Sequence, residues 1–251
     1  MISWDTTKVT DGQHVVTVSA TDTLGNIGNS TPVTVTVDNR HPPMLIGKDV
    51  SLSVDGQGAM TTPVFSTPTV GDLLLAFVGY DGPASSAQTA SVSGAGLTWT
   101  LLERSNTQSG TSEIWSARAD GTLSTVSVTA VPGFGSYHGS LTVIAFTNAY
   151  GTSVVGRTGA PSGAPDIPVP GVIAGDWVFA VGNDWDNAIA RTPVSGQVKV
   201  HERVDTQTGD TFWVQSTTAP STANSLVDIH DGSPTSDQWN YAAVEIVAAH
   251  Q

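Results

Sequence analysis

The sequence contains no cysteine. That excludes a disulfide framework, a thiolate metal site and a cysteine nucleophile. Basic residues are scarce, with Lys and Arg totalling 9 against 22 Asp and Glu, for a net charge of −13. Phosphate backbones and anionic membranes are bound by clustered Lys and Arg, so no nucleic-acid partner is expected. Long apolar runs are also missing. The longest, residues 73–78, is far too short to cross a bilayer, and no membrane insertion is expected. The opening Met1-Ile-Ser-Trp-Asp has neither a basic n-region nor an apolar h-region. We read the chain as part of a longer secreted protein, working outside the cell or on its surface beside neighbouring domains.

Catalytic signatures are equally sparse. There is no G-x-S-x-G elbow, no phosphate-binding loop, no G-x-G-x-x-G after a strand and no H-E-x-x-H. The six histidines are scattered without ligand spacing.

What the sequence does have is Gly, Pro, Ser, Thr and Val. With 26 Gly, 14 Pro and 39% hydrophobic residues, it fits many short strands joined by turns rather than helices. All-β is the expected class. Two stretches then give the organisation. Residues 70–83, VGDLLLAFVGYDGP, have a counterpart in residues 174–187, AGDWVFAVGNDWDN. Each opens on Gly-Asp, continues as an apolar strand and ends in an Asp-bearing loop. Each is followed by a second matching pair, ERSNTQSG at 103–110 and ERVDTQTG at 202–209. Two matches in the same order imply an internal duplication.

The expected organisation is a partial segment over 1–39, a linker over 40–43, and two β-sandwich units over 44–150 and 151–251. In the first unit, strands are expected near 46–54, 62–66, 73–80, 97–104, 112–119, 125–131 and 140–147. The second repeats the pattern near 153–157, 177–182, 197–205, 211–216, 225–229 and 240–248. The Pro-rich stretch 160–171 is expected to run extended along an edge.

Residues 1–39 carry Trp4-Asp5-Thr6-Thr7, Asp11-Gly12, Ala20-Thr21-Asp22, Gly25-Asn26 and a closing Val33-Thr-Val-Thr-Val-Asp38-Asn39. This resembles the terminal strands of bacterial Ig-like tandem repeats, which implies a stalk or spacer. An Ig sandwich needs about seven strands, so only part of one is present. Residues 44–251, through Gly71-Asp72, Gly175-Asp176, Trp115 and Trp213, resemble duplicated jelly-roll-like β-sandwich modules of secreted bacterial and phage surface proteins. That resemblance implies extracellular display and supplies no catalytic residue.

Three constellations carry candidate chemistry. Asn183, Asp184, Trp185, Asp186 and Asn187 cluster in one loop; Asp184 and Asp186 are candidate Ca²⁺ ligands, because Ca²⁺ prefers several oxygens. The competing reading is an acidic turn whose side chains hydrogen-bond their own backbone. His230, Asp231 and Asp237 pose the same choice. Of the seven tryptophans, Trp177 and Trp213 sit in apolar strands and read as core. Trp185 and Trp239 sit among Asp and Asn and are the candidate sugar-stacking platforms, with Asp184, Asp186 and Asn187 reading hydroxyls. Third, the Glu-Arg pairs 103–104 and 202–203 read as cross-strand scaffold. His201, Glu202, Asp205 and Asp210 leave an acid/base reading open.

The functional expectation is a non-catalytic carbohydrate-binding or adhesion module acting on polysaccharide or a cell-surface glycan. The alternatives are a polysaccharide hydrolase or lyase using Glu202 or Asp210, and a structural spacer without ligand.

Overall fold

The structure, a computed structural model, describes residues 4–10, 12–37, 42–85, 87–222 and 224–250. Asp11, Asp38-Asn39 and the Arg40-His41 half of the expected linker lie outside the described residues. Two compact units are present, Met1–Pro43 with His250–Gln251, and Met44–Ala249.

In the smaller unit a 3₁₀ turn, Thr6–Lys8, precedes β1 (Gly12–Val16), β2 (Ser19–Thr21), β3 (Ile27–Asn29) and β4 (Val33–Val37). β1 pairs with β4 and β2 with β3, both antiparallel. The β2–β3 turn follows from its sequence: Asp22 Oδ1 accepts the N–H groups of Leu24 (2.8 Å) and Asn26 (2.9 Å), and Gly25 takes φ +88°.

The larger unit is all-β and duplicated. Its first half holds β5 (Gly47–Gln57), β6 (Met60–Thr61), β7 (Leu73–Tyr80), β8 (Ala90–Gly94), β9 (Thr100–Ser105), β10 (Thr111–Arg118), β11 (Val128–Pro132) and β12 (His138–Thr147). The second holds β13 (Ala149–Ala160), β14 (Asp166–Val172), β15 (Trp177–Asp184), β16 (Thr192–Pro193), β17 (Gln197–Asp205), β18 (Asp210–Thr217), β19 (Ser225–Ser233) and β20 (Trp239–Ala248). The sheets are β5-β12-β7-β10-β9 over β6-β11-β8, then β13-β20-β15-β18-β17 over β14-β19-β16. Counted within each half, both read 1-8-3-6-5 over 2-7-4, so the duplication is complete at the level of topology.

Four layers result, held by three cores. The two five-stranded sheets pack face to face through Leu75, Phe77, Phe146, Trp177, Phe179 and Val244. Leu74, Ala76, Val78 and Tyr80 bury the outer face of the first sheet, and Val178, Ala180, Trp213 and Tyr241 that of the second. Hence β7 and β15 are buried at every residue, and their near-continuous apolar runs serve two cores at once.

The repeated motifs have local causes. Gly71 (φ +86°) and Gly175 (φ +98°) turn the chain into β7 and β15 in a conformation that disfavours a Cβ. The following aspartate is buried in each case; Asp176 accepts the N–H groups of Ala248 (2.9 Å) and Ile173 (3.3 Å).

Strand boundaries differ from expectation where the partner decides. The 62–66 stretch contributes an isolated bridge at Phe65 instead of a strand. The Pro-rich 160–171 stretch runs along an edge as expected, its later part forming the edge strand β14. β6 and β16, two residues each and too short to show a period, were not expected, nor was β8, whose small Ala-Ser-Val-Ser-Gly carries little apolar signal.

Candidate functional site

At one end of the larger unit, the loops and hairpins leaving β7, β9, β11, β15, β17 and β19 meet where the two halves join. The halves approach closely there because Gly79 lies against Phe212 and the Gly182 carbonyl; a Cβ on Gly79 would sit 3.1 Å from the Phe212 ring.

An open cleft of about 350 Å³ lies at this end, lined by Ser85, Asn106, Thr107, Gln108, Ser109 and Gln238 among others. Its floor is the β9–β10 hairpin, pinned by buried amides from the second half. Asn240 Oδ1 accepts the Gln108 N–H at 2.9 Å, and Asn240 Nδ2 donates to Ser109 O at 3.0 Å and to Asn183 Oδ1 at 3.1 Å. One wall is the loop after β7, from which Pro83, Ala84, Ser85 and Ala87 line the cleft. Gln88, fully buried, ties its base, with Nε2 donating to the carbonyls of Asp81 and Phe134 and Oε1 accepting from Thr89 and Phe134, all at 3.0 Å. Asn106 Nδ2 joins wall to floor through Gln88 O at 2.8 Å. These walls are preorganised by satisfied, buried hydrogen bonds.

Trp185 stands beside the cleft. It is half-buried, its backbone N–H reaches the carbonyl of the lining residue Gln238 (3.4 Å), and its side chain interacts with Asp81. Trp239 does not share this position. It is 5% exposed and packs in the second half's outer core, so the exposure expected of it is corrected. It is the first residue of β20, paired across from Asp184 on β15, and that register puts its ring inside. Trp177 and Trp213 are core, as their apolar strands required.

The acidic loop is a capped turn. Asp184 Oδ1 accepts the N–H groups of Asp186 (2.9 Å) and Asn187 (3.2 Å), while Oδ2 takes the Arg191 guanidinium. Asn187 Nδ2 donates to Asp237 (3.2 Å), and Asp186 accepts the Gln238 N–H (2.9 Å). Asp184, Asp186 and Asp237 do place carboxylate oxygens within 4.8 Å of one another. Both oxygens of Asp184 are nevertheless engaged, and fully buried Arg191, also 3.6 Å from Asp237, supplies the positive charge. A Ca²⁺ ion coordinated by Asp184 would have to displace that guanidinium, so these residues fit the ion poorly. Arg191 is held by stacking on Trp213, 4.4 Å from the ring centroid. Burial raises the Asp184 carboxyl against the pull of Arg191 and the Asp186 amide. Asp231, nearby and 2% exposed, is pushed up to about 7, mainly by burial.

The acid/base candidates are separated. Glu202 pairs across from Trp213 and Asp205 from Asp210, so Glu202 points to the outer face of its sheet and Asp210 to the inner. Glu202 is consumed by the Arg191 N–H (2.7 Å) and Lys199 (2.7 Å). The scaffold reading of the Glu-Arg pairs fits the first half well: Arg104 grips fully buried Glu113 with two hydrogen bonds (2.7 and 3.1 Å), and Glu103 meets Arg157 at 3.0 Å.

The inner face at the same loop end carries an ionic network across the halves. Asp205 Oδ2 is 2.5 Å from His138 Nδ1 and 2.6 Å from Arg203, which also donates to Gly56 O and Gly139 O at 3.1 Å. His201 meets Asp55 at 3.0 Å. Burial works against the charge on Asp205, yet His138, the Gln207 N–H and Arg203 hold it below the ordinary carboxylate range. Asp210, 1% exposed, is pushed up to about 7 by burial and by Asp81 and Asp205.

The amides Gln88, Asn106, Gln108, Gln238 and Asn240 build the cleft and were not anticipated, whereas Asn183, expected in the acidic loop, instead joins them through Asn240. Their one sequence signal was the repeated Thr-Gln-x-Gly of the two hairpins. The chain matches no protein-family model, no curated protein and no solved structure.

Proposed function

We propose that this chain is a non-catalytic, extracellular carbohydrate-binding or adhesion module of a secreted protein, and that the loop-end cleft docks an uncharged glycan. The observation that carries this is the cleft's chemistry. Among the described lining residues none is ionisable, and amides and hydroxyls surround a volume sized for a few sugar units. In this reading Trp185, tied through its backbone to the lining residue Gln238, stacks on the apolar C–H surface of a sugar ring. The net charge of −13 disfavours an anionic polymer. The order 1-8-3-6-5 over 2-7-4 supports kinship with jelly-roll-like surface modules, and the antiparallel β1–β4 pair supports an Ig-like stalk segment.

The test is retention on a panel of neutral and anionic polysaccharides, with Trp185→Ala and Gln238→Ala as variants. The expected result is retention on a neutral glycan, weakened about tenfold by either substitution, since one stacking or hydrogen-bonding contact contributes roughly 1–1.5 kcal/mol. Retention on no glycan, or retention indifferent to both variants, would defeat the proposal.

A further inference from the structure

The loop between β11 and β12, residues 133–137, reads Gly-Phe-Gly-Ser-Tyr. Phe134 at its tip is 47% exposed. Its backbone is nevertheless held on both sides. Gln88, fully buried, accepts the Phe134 N–H through Oε1 and donates from Nε2 to the Phe134 carbonyl, both at 3.0 Å. The Gly133 N–H reaches Thr89 O at 2.7 Å. The flanking glycines permit this packing: a Cβ on Gly133 would lie 2.1 Å from Thr89 Oγ1, and one on Gly135 would lie 2.8 Å from the Tyr137 ring. The fold fixes the backbone here and leaves the phenyl ring facing solvent.

The duplication shows that the architecture does not require this ring. Gly139 and Trp239 are equivalent, each paired across from the last residue of its half's central strand, Tyr80 or Asp184. Counting back from them, the loop matching 133–137 is 234–238, which joins β19 to β20 and reads Pro-Thr-Ser-Asp-Gln. It has the same length and no aromatic residue. A large apolar side chain left in water forgoes the stabilisation of burial. An aromatic ring on a fixed backbone is, in turn, an anchor that loses little freedom when a ligand stacks on it.

Gln88 also connects this loop to the cleft, since its carbonyl accepts Asn106 Nδ2 at 2.8 Å and Asn106 is a lining residue. From the second half, Trp185 is tied through its backbone to Gln238, another lining residue. Each half therefore attaches one aromatic residue to the cleft, and neither of the two belongs to its lining. We propose that Phe134 is a further stacking platform that extends the site beyond the cleft, so that the site takes an extended, linear, neutral polysaccharide longer than the cleft itself can hold. The inference rests on the glycan reading of the cleft. A phenyl face covers the apolar C–H side of a sugar ring without reading its hydroxyls. It adds affinity along a repeating chain, while the amides of the cleft choose the sugar.

The experiment is isothermal titration calorimetry of the whole chain with neutral β-linked gluco-, xylo- and manno-oligosaccharides, from disaccharide to octasaccharide. In the series that binds, affinity should rise about tenfold over the lengths that pass from the cleft to Phe134, the factor expected of one stacking contact. Phe134→Ala should reduce that rise to below about twofold and leave the shortest bound member unaffected. Phe134→Tyr, which keeps the flat ring, should retain the rise. Both variants should melt at the wild-type temperature, because the ring is exposed. Trp185→Ala should instead weaken every length. A wild type whose affinity is indifferent to length, or a rise that persists in Phe134→Ala, overturns the extension and leaves the cleft reading standing. Binding of no oligosaccharide defeats the glycan reading itself, and the extension with it.

Discussion

Replacing Phe179 by Ala should weaken both halves of the larger unit at once. The ring is fully buried on β15, in the core shared by the two five-stranded sheets. Its neighbours come from both halves: Phe77 at 5.7 Å and Phe146 at 5.1 Å from the first, Trp177 at 5.1 Å from its own. Phe→Ala in a packed core costs about 3–5 kcal/mol, from lost transfer energy plus an incompletely collapsed cavity. Three aromatic contacts, one stacked and two edge-on, are lost together and β7 and β15 are paired on both sides, so the upper part of that range is expected. For a body of this size, about 4 kcal/mol lowers the melting temperature by roughly 8–16 °C. Urea unfolding followed both by far-ultraviolet circular dichroism and by tryptophan fluorescence would report it. The two probes should move together, because the halves share this core. Two separated transitions, only one of them shifted, would refute the shared core as the source of cooperativity, and so would a loss under about 1 kcal/mol.

Glu113→Ala should cost about 3–5 kcal/mol, because Arg104, the Ala90 N–H (2.7 Å) and the Trp115 indole (2.8 Å) all lose their acceptor inside the fold; chemical denaturation checks this. Raised carboxyls give stability that is present at acidic pH and lost as pH climbs through their folded values, so Asp72 (about 6), Asp210 (about 7) and Asp231 (about 7) predict a higher melting temperature at pH 5.5 than at pH 8.5. Asp205 and Asp55, both held low, act in the opposite sense, and their contribution disappears on acidification below the ordinary carboxylate range. Added Ca²⁺ or chelator should leave the melting temperature unchanged within about 1 °C, since Arg191 already neutralises the Asp184 cluster; a concentration-dependent rise would show a bound ion.

Much of the fold was legible in the residues. The matched Gly-Asp strands and Glu-Arg hairpins revealed the duplication because each has a local cause: a left-handed glycine, a buried acid, a central strand apolar on both faces. The acidic loop was legible as two alternatives, and the structure supports the self-capped turn: Asp184 finds its partners within three residues and in Arg191. Trp239 was misread because its neighbours in sequence are Asp237 and Asn240, whereas its burial is set by Asp184 across the sheet. The cleft was missed because its amides are ordinary residues separately. Gln108 and Asn240 lie 132 positions apart and matter only once they touch.

By itself the sequence determined the strand class, the duplication and the absence of thiol chemistry, since those depend on composition, period and local backbone preference. Tertiary structure alone decided that Gln238 lines a cleft and that His138 joins an ionic cluster with Asp205. It also put Glu202 and Asp210 on opposite faces and gave Arg191 the place a cation would take. The physical reason is that hydrogen bonding, burial and charge balance are properties of neighbours in space, and in antiparallel sheets those neighbours are set by register between distant strands.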